Sequence, residues 1–125
     1  MKYLGVDFGL RKIGLSVSEG ILASPWQVLE VKNFTDAVNK TLTIIKSGEF
    51  NKIIVGLPEG KMGQTVLGFV DKLSKAGLNI ETVDETLSSK KAIEQMIAEN
   101  LPVKKRRSND AYSAAIILQN FLDNS

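Results

Sequence analysis

The stretch Tyr3-Leu4-Gly5-Val6-Asp7-Phe8-Gly9-Leu10-Arg11-Lys12-Ile13-Gly14-Leu15-Ser16-Val17-Ser18 decides how this chain is read. Its first half alternates as a strand, with Leu4, Val6 and Phe8 on one face and Tyr3, Gly5 and Asp7 on the other. Its second half repeats the pattern, with Ile13, Leu15 and Val17 set against Gly14, Ser16 and Ser18. The Gly9-Leu10-Arg11 connection suits a hairpin, so the two strands, over residues 2–8 and 12–18, run antiparallel. Asp7 stands out. A carboxylate inside an apolar strand is costly unless hydrogen bonds, a cation or a metal compensates it. Gly5 and Gly9 leave no side chain beside it, so the expectation is a ligand approaching the backbone there.

Working outward, a third strand is expected over residues 26–31 after the Ser24-Pro25 break, completing a meander. The spacing of apolar residues then predicts a helix over 35–47, ended near Gly48. Ile53-Ile54-Val55 reads as a strand buried on both faces, and residues 59–63 as a loop. A second helix is expected over 64–76, burying Val66, Leu67, Phe69, Val70 and Leu73, with Gly77 as its cap. A fifth strand over 78–83 runs into Asp84-Glu85, and Ser88 is the N-cap of a third helix burying Ala92, Ile93, Met96 and Ile97. After Pro102 and a basic run, a last helix beginning near Ser108 is apolar almost all round and should be largely buried. The order predicts one α/β domain over residues 1–125: a mixed five-stranded sheet, antiparallel meander first and parallel strands after, with helices on both faces.

Composition narrows the chemistry. The 125 residues are 43% hydrophobic and contain neither histidine nor cysteine. Ser-His-Asp and Cys-His catalysis are therefore excluded, as is an ordinary structural zinc site. Carboxylates, lysines, hydroxyls and a hard cation such as Mg²⁺ or Mn²⁺ are what remain. No apolar run reaches the length of a membrane span and no signal-peptide pattern is present, so a cytoplasmic location is expected. Net charge is +2, yet Lys104-Lys105-Arg106-Arg107 alone supply +4, so the remainder sums to −2. A basic cluster on a near-neutral body suits phosphate contacts, although a solvated charge run reads the same way.

Three carboxylates occupy telling places: Asp7 in the first strand, Glu85 at the end of the fifth, Asp110 in the first turn of the last helix. Right-handed crossovers bring the ends of the later parallel strands beside the first, where ligands bind in open α/β sheets. Clustered carboxylates repel unless cations neutralise them, and two divalent ions about 4 Å apart serve in-line phosphodiester hydrolysis. Each residue also has a plain role: Asp110 at the positive end of a helix dipole, Glu85 as a solvated strand-end charge. Asp84 points the other way in an extended chain and reads as support, while Thr86, Ser88 and Ser89 read as capping or turn residues.

Val6-Asp7-Phe8-Gly9-Leu10-Arg11-Lys12-Ile13-Gly14-Leu15-Ser16-Val17-Ser18 resembles the opening motif of the YqgF family, which groups pre-16S rRNA nucleases with Holliday-junction-resolvase-like proteins on the RNase H fold. Ile54-Val55-Gly56-Leu57-Pro58, Val83-Asp84-Glu85-Thr86-Leu87-Ser88-Ser89 and Asp110-Ala111-Tyr112-Ser113-Ala114-Ala115-Ile116-Ile117-Leu118 resemble its later motifs in order, across essentially the whole chain. The resemblance implies Asp7, Glu85 and Asp110 as catalytic, metal-holding carboxylates of a two-metal Mg²⁺ or Mn²⁺ site. Lys12, Lys61, Lys104, Lys105, Arg106 and Arg107 are then the expected nucleic-acid contacts. Two positions depart from the family pattern, which has arginine where Lys12 and Thr86 stand; Lys12 keeps the charge without the bidentate fork, and Thr86 loses it.

The leading expectation is an endonuclease trimming the 5′ end of pre-16S rRNA, as a monomer or weak homodimer. The alternatives are resolution of four-way DNA junctions, or a ribosome-assembly protein that binds nucleic acid with a decayed site. An actin-like ATPase half also opens on a strand aspartate with glycines, but it needs a second domain.

Overall fold

The computed structural model describes residues 1–84 and 110–124. Five strands form one sheet in the order β3-β2-β1-β4-β5: β1 (Tyr3–Asp7), β2 (Lys12–Ser18), β3 (Ser24–Glu30), β4 (Lys52–Leu57) and β5 (Ile80–Asp84). β1, β2 and β3 are the antiparallel meander, and β4 and β5 join parallel to β1. Helices α1 (Phe34–Gly48) and α2 (Lys61–Ser74) cover one face, and α3 (Asp110–Asp123) covers the other. The mixed sheet with helices on both faces is the expected architecture. The helix predicted after Ser88 lies outside the described residues.

The larger core lies under α1 and α2. Leu4, Val6, Ile13, Leu15, Val55, Val66, Phe69 and Leu73 are all fully buried there, each contributing about 1.5–3 kcal/mol relative to exposure. Phe8 extends this layer past the end of β1, with its ring 4.7 Å from Phe69 and 6.2 Å from Phe34. α1 begins where Asn33 Oδ1 accepts a hydrogen bond from the Asp36 N–H at 2.8 Å. The Asp36 carboxylate in turn accepts from the Lys32 N–H at 2.9 Å, and with Lys40 nearby its pKa lies below the ordinary value.

Three local expectations change. β3 starts at Ser24 and includes Pro25, because it is an edge strand and Pro25 sits opposite Ser16, where the ladder is irregular. α2 starts at Lys61 instead of residue 64: Gly60, at φ 75°, turns the chain into the helix, and Gly63 packs so tightly on the Pro58 carbonyl that a Cβ would collide with it. Leu67 is 51% exposed, so the buried stripe of α2 is narrower than its apolar content implied.

Candidate active site at the carboxyl ends of the parallel strands

Asp7 is the last residue of β1, half-buried, and faces the α3 side of the sheet together with Tyr3 and Gly5. The path of α3 over this face follows from three contacts. The Tyr3 ring meets Phe121 edge-on at 5.9 Å. A Cβ on Gly5 would lie 2.8 Å from the Ala114 carbonyl and 2.8 Å from Leu118 Cβ. A Cβ on Gly14 would collide with the carbonyl of Asp110 and lie 2.9 Å from the Ala111 nitrogen. α3 therefore runs antiparallel to β1, and its first turn rests on Gly14. Gly14 is also the ladder partner of Asp7. Asp7 and the Asp110 backbone thus meet at one bare Cα.

β2 supplies the bed for this helix. Ser16 is fully buried and its Oγ donates to the Ala114 carbonyl at 2.7 Å. Further along, the Gln119 side chain clasps the β2–β3 turn: Oε1 accepts from the Ala23 N–H at 2.9 Å, and Nε2 donates to the Ile21 carbonyl at 2.9 Å and to Asp123 at 3.0 Å. Apolar packing of Ile54 against Ile117 and Leu118 completes the seat. The height of α3, and with it the position of Asp110, is fixed at three levels.

This geometry corrects one expectation. The space above Gly5 is filled by Ser16 and α3, and Gly9 accommodates the Lys12 carbonyl in the tight turn, so these glycines admit protein and not a ligand. The signal for it was present in the small residues Gly14, Ser16 and Ser18 on one face of β2, a surface cut for a close helix. Gly14, Ser16 and Gln119 are the contributors that residue-type reasoning passed over.

The other expected site residues fall as follows. Lys12 is exposed and shares the Asp7 face, two residues before Gly14. Lys61 is exposed at the start of α2, at the same end of the sheet but on the helix layer of the opposite face. Asp84 ends β5, paired with Leu57 at the end of β4. Glu85, Thr86, Ser88, Ser89, Lys104, Lys105, Arg106 and Arg107 lie outside the described residues. Among the described residues no group of three potential ligands comes together. The donor chemistry nonetheless fits a hard divalent cation: Asp7 and Asp110 offer carboxylate oxygens, and the chain has no softer histidine or cysteine to compete.

Residues 1–124 match the family described as RuvX: Holliday junction resolvase. A protein of Endomicrobium trichonymphae named "Putative pre-16S rRNA nuclease" is 32% identical, covering 98% of this chain and 95% of its own length. A protein of the same name from Anaeromyxobacter sp. (strain K) is 35% identical over 98% of this chain and 97% of its own. Among solved structures, Thermus thermophilus RuvC bound to a Holliday junction substrate superposes with a TM-score of 0.64 at 15% identity, covering 99% of this chain and 94% of that one. The fold is RNase H-like, as the strand order indicates.

Proposed function

Because the chain belongs to the RuvX family, we propose that it is a metal-dependent endonuclease that hydrolyses phosphodiester bonds in structured nucleic acid, with the 5′ end of pre-16S rRNA as its substrate. The observation that carries this reading is the convergence of Asp7 and Asp110 on Gly14 at the carboxyl end of β1. Asp7 and Asp110 would hold Mg²⁺ or Mn²⁺, and Glu85 joins them in this reading on its place in the sequence, one residue beyond Asp84. Bound there, two such ions supply an activated water and charge neutralisation at the leaving oxygen. The protein's own part is to hold the carboxylates rigidly at the carboxyl end of the central strand. Lys12 supplies a cation on the same face for a substrate phosphate, and Lys61 and the run Lys104 to Arg107 are read as further phosphate contacts.

The description of the matching family favours a second reading, resolution of four-way DNA junctions, which requires two sites and hence a dimer. A cytoplasmic location belongs to both readings; no helix among the described residues is long and apolar enough to cross a membrane. The deciding experiment is cleavage of end-labelled pre-16S rRNA and of junction DNA with Mg²⁺ or Mn²⁺. Asp7→Asn and Asp110→Asn should each lower the rate by at least about 10²-fold, as loss of a preorganised charge-stabilising group does. Metal-independent cleavage, or full activity in Asp7→Asn, would sink the mechanism. Binding without any cleavage by the wild type would favour a decayed site.

A further inference from the structure

Beside Asp7, on the side of the sheet that leads to the edge strand β3, the β1–β2 turn and the β3–α1 connection enclose an open groove of about 750 Å³. Its lining includes Leu10, Arg11, Lys12, Glu30, Lys32 and Asn33. The two segments are tied together, since the Val31 N–H donates to the Arg11 carbonyl at 2.9 Å and Lys12 pairs with Glu30 across the ladder. The lining thus carries three cations and one carboxylate, Glu30, in a fixed frame. Arg11, Lys12 and Lys32 are exposed and form no ion pair with a described residue, whereas Lys40, Lys52 and Lys75 do. Asp36, in the first turn of α1, accepts from the Lys32 N–H, pairs with Lys40 and is only weakly attracted by the Lys32 charge. Between the cations Leu10 stands 54% exposed at the tip of the turn, three residues after Asp7.

We propose that this groove carries the sugar–phosphate strand of the substrate away from the cleavage site toward β3, with Arg11, Lys12 and Lys32 neutralising phosphates and Leu10 resting against a base or sugar. The proposal rests on the nuclease reading above and adds the route of the substrate strand. A strand of alternating charge and apolar surface suits this lining better than a small anion does. The groove is open and lined from two connections, whereas a discrete anion site encloses its ligand in converging donors. Backbone contacts of this kind position a nucleic acid without reading its sequence.

The test is equilibrium binding of a fluorescein-labelled DNA duplex and a labelled RNA single strand, in EDTA to prevent cleavage, across a salt series. The slope of log Kd against log salt counts the phosphates neutralised, so Arg11→Gln/Lys32→Gln should reduce it by about 1.8 on the duplex and about 1.4 on the single strand. Lys46→Gln/Lys52→Gln, in the last turn of α1 and at the start of β4 at the opposite end of the sheet, should leave it unchanged. Leu10→Ser should weaken binding about fivefold with the slope intact, because an apolar contact releases no counterions. An unaltered slope in Arg11→Gln/Lys32→Gln, or an equal drop in both pairs, overturns the groove while leaving the nuclease reading in place. Undiminished affinity in Leu10→Ser overturns the apolar contact. A wild type that binds neither probe refutes the nuclease reading itself, and the groove with it.

Discussion

Gly14→Ala is the most informative single substitution in this protein. The new methyl would fall on the Asp110 carbonyl and within 2.9 Å of the Ala111 nitrogen. Both obstacles are backbone, so no side-chain rotation relieves them. The rest of α3 is held by the Ser16 bond to Ala114, by Ile117 and Leu118 against Ile54, and by Gln119. The helix therefore tilts about its anchored C-terminal half and its first turn lifts. A lift of about 1 Å is enough to cost about 10²-fold in rate, whereas the overpacking itself costs only about 1–3 kcal/mol. Thermal melting should fall by about 5–10 °C and single-turnover cleavage with Mn²⁺ by about 10²-fold, while affinity for nucleic acid in EDTA stays at the wild-type level. Gly20→Ala is the matched control, with nothing within 4 Å of its added Cβ, and should be neutral in all three measurements. Wild-type cleavage in Gly14→Ala would mean that the approach of α3 to β2 does not set the position of Asp110.

Ser16→Ala removes a buried hydroxyl bonded to a helix carbonyl and should cost about 0.5–1.5 kcal/mol in urea denaturation, a figure that a value near zero would contradict. Gln119→Ala releases the β2–β3 turn, so hydrogen exchange at the Ala23 amide, which donates to the Gln119 side chain, should speed up well before that of β1. Thr41 Oγ1 is buried with no partner among the described residues, and Thr41→Val should raise stability by about 1 kcal/mol; destabilisation would reveal a partner for the hydroxyl. The Asp36 carboxyl is held below its ordinary pKa by the Lys32 N–H and then by Lys40. Its contribution to stability is thus present above the unfolded-state pKa and lost as pH falls through the lower folded value. An NMR titration of Asp36 should have its midpoint below 3.8, and Lys32→Pro, which deletes the donor, should move it upward.

The sheet was legible because its strands carry their own periodicity. Leu4, Val6, Ile13 and Leu15 mark the buried face of the opening hairpin without ambiguity, and Ile53-Ile54-Val55 could only be a strand covered on both sides. Boundaries were less so where backbone contacts override side-chain pattern. Pro25 reads as a strand breaker but is tolerated on an edge at an irregular ladder position, and Gly60 reads as loop but begins a helix. Of the proposed site residues, Asp7 stands out as a charge in an apolar strand and Asp110 by its place in the first turn of the last helix. Their meeting point was not legible, because it depends on the absence of a side chain at Gly14, and a missing atom leaves no periodic signal. The sequence places Asp7 inside a strand, and the structure moves it to the strand's last position, half-buried at the end of the sheet.

The contacts that seat α3 join residues very far apart in the chain: Ser16 with Ala114 is a separation of 98, as is Gln119 with Ile21. At about 5–20 residues per second of synthesis, the ribosome makes Ala114 some 5–20 s after Ser16. Throughout that interval the meander and the first parallel strands can already pair, yet Asp7 has no Asp110 beside it. The sheet matures before the scissors close. In the proposed mechanism a nascent chain, still tethered beside ribosomal RNA, cannot assemble its carboxylate centre until α3 has been delivered.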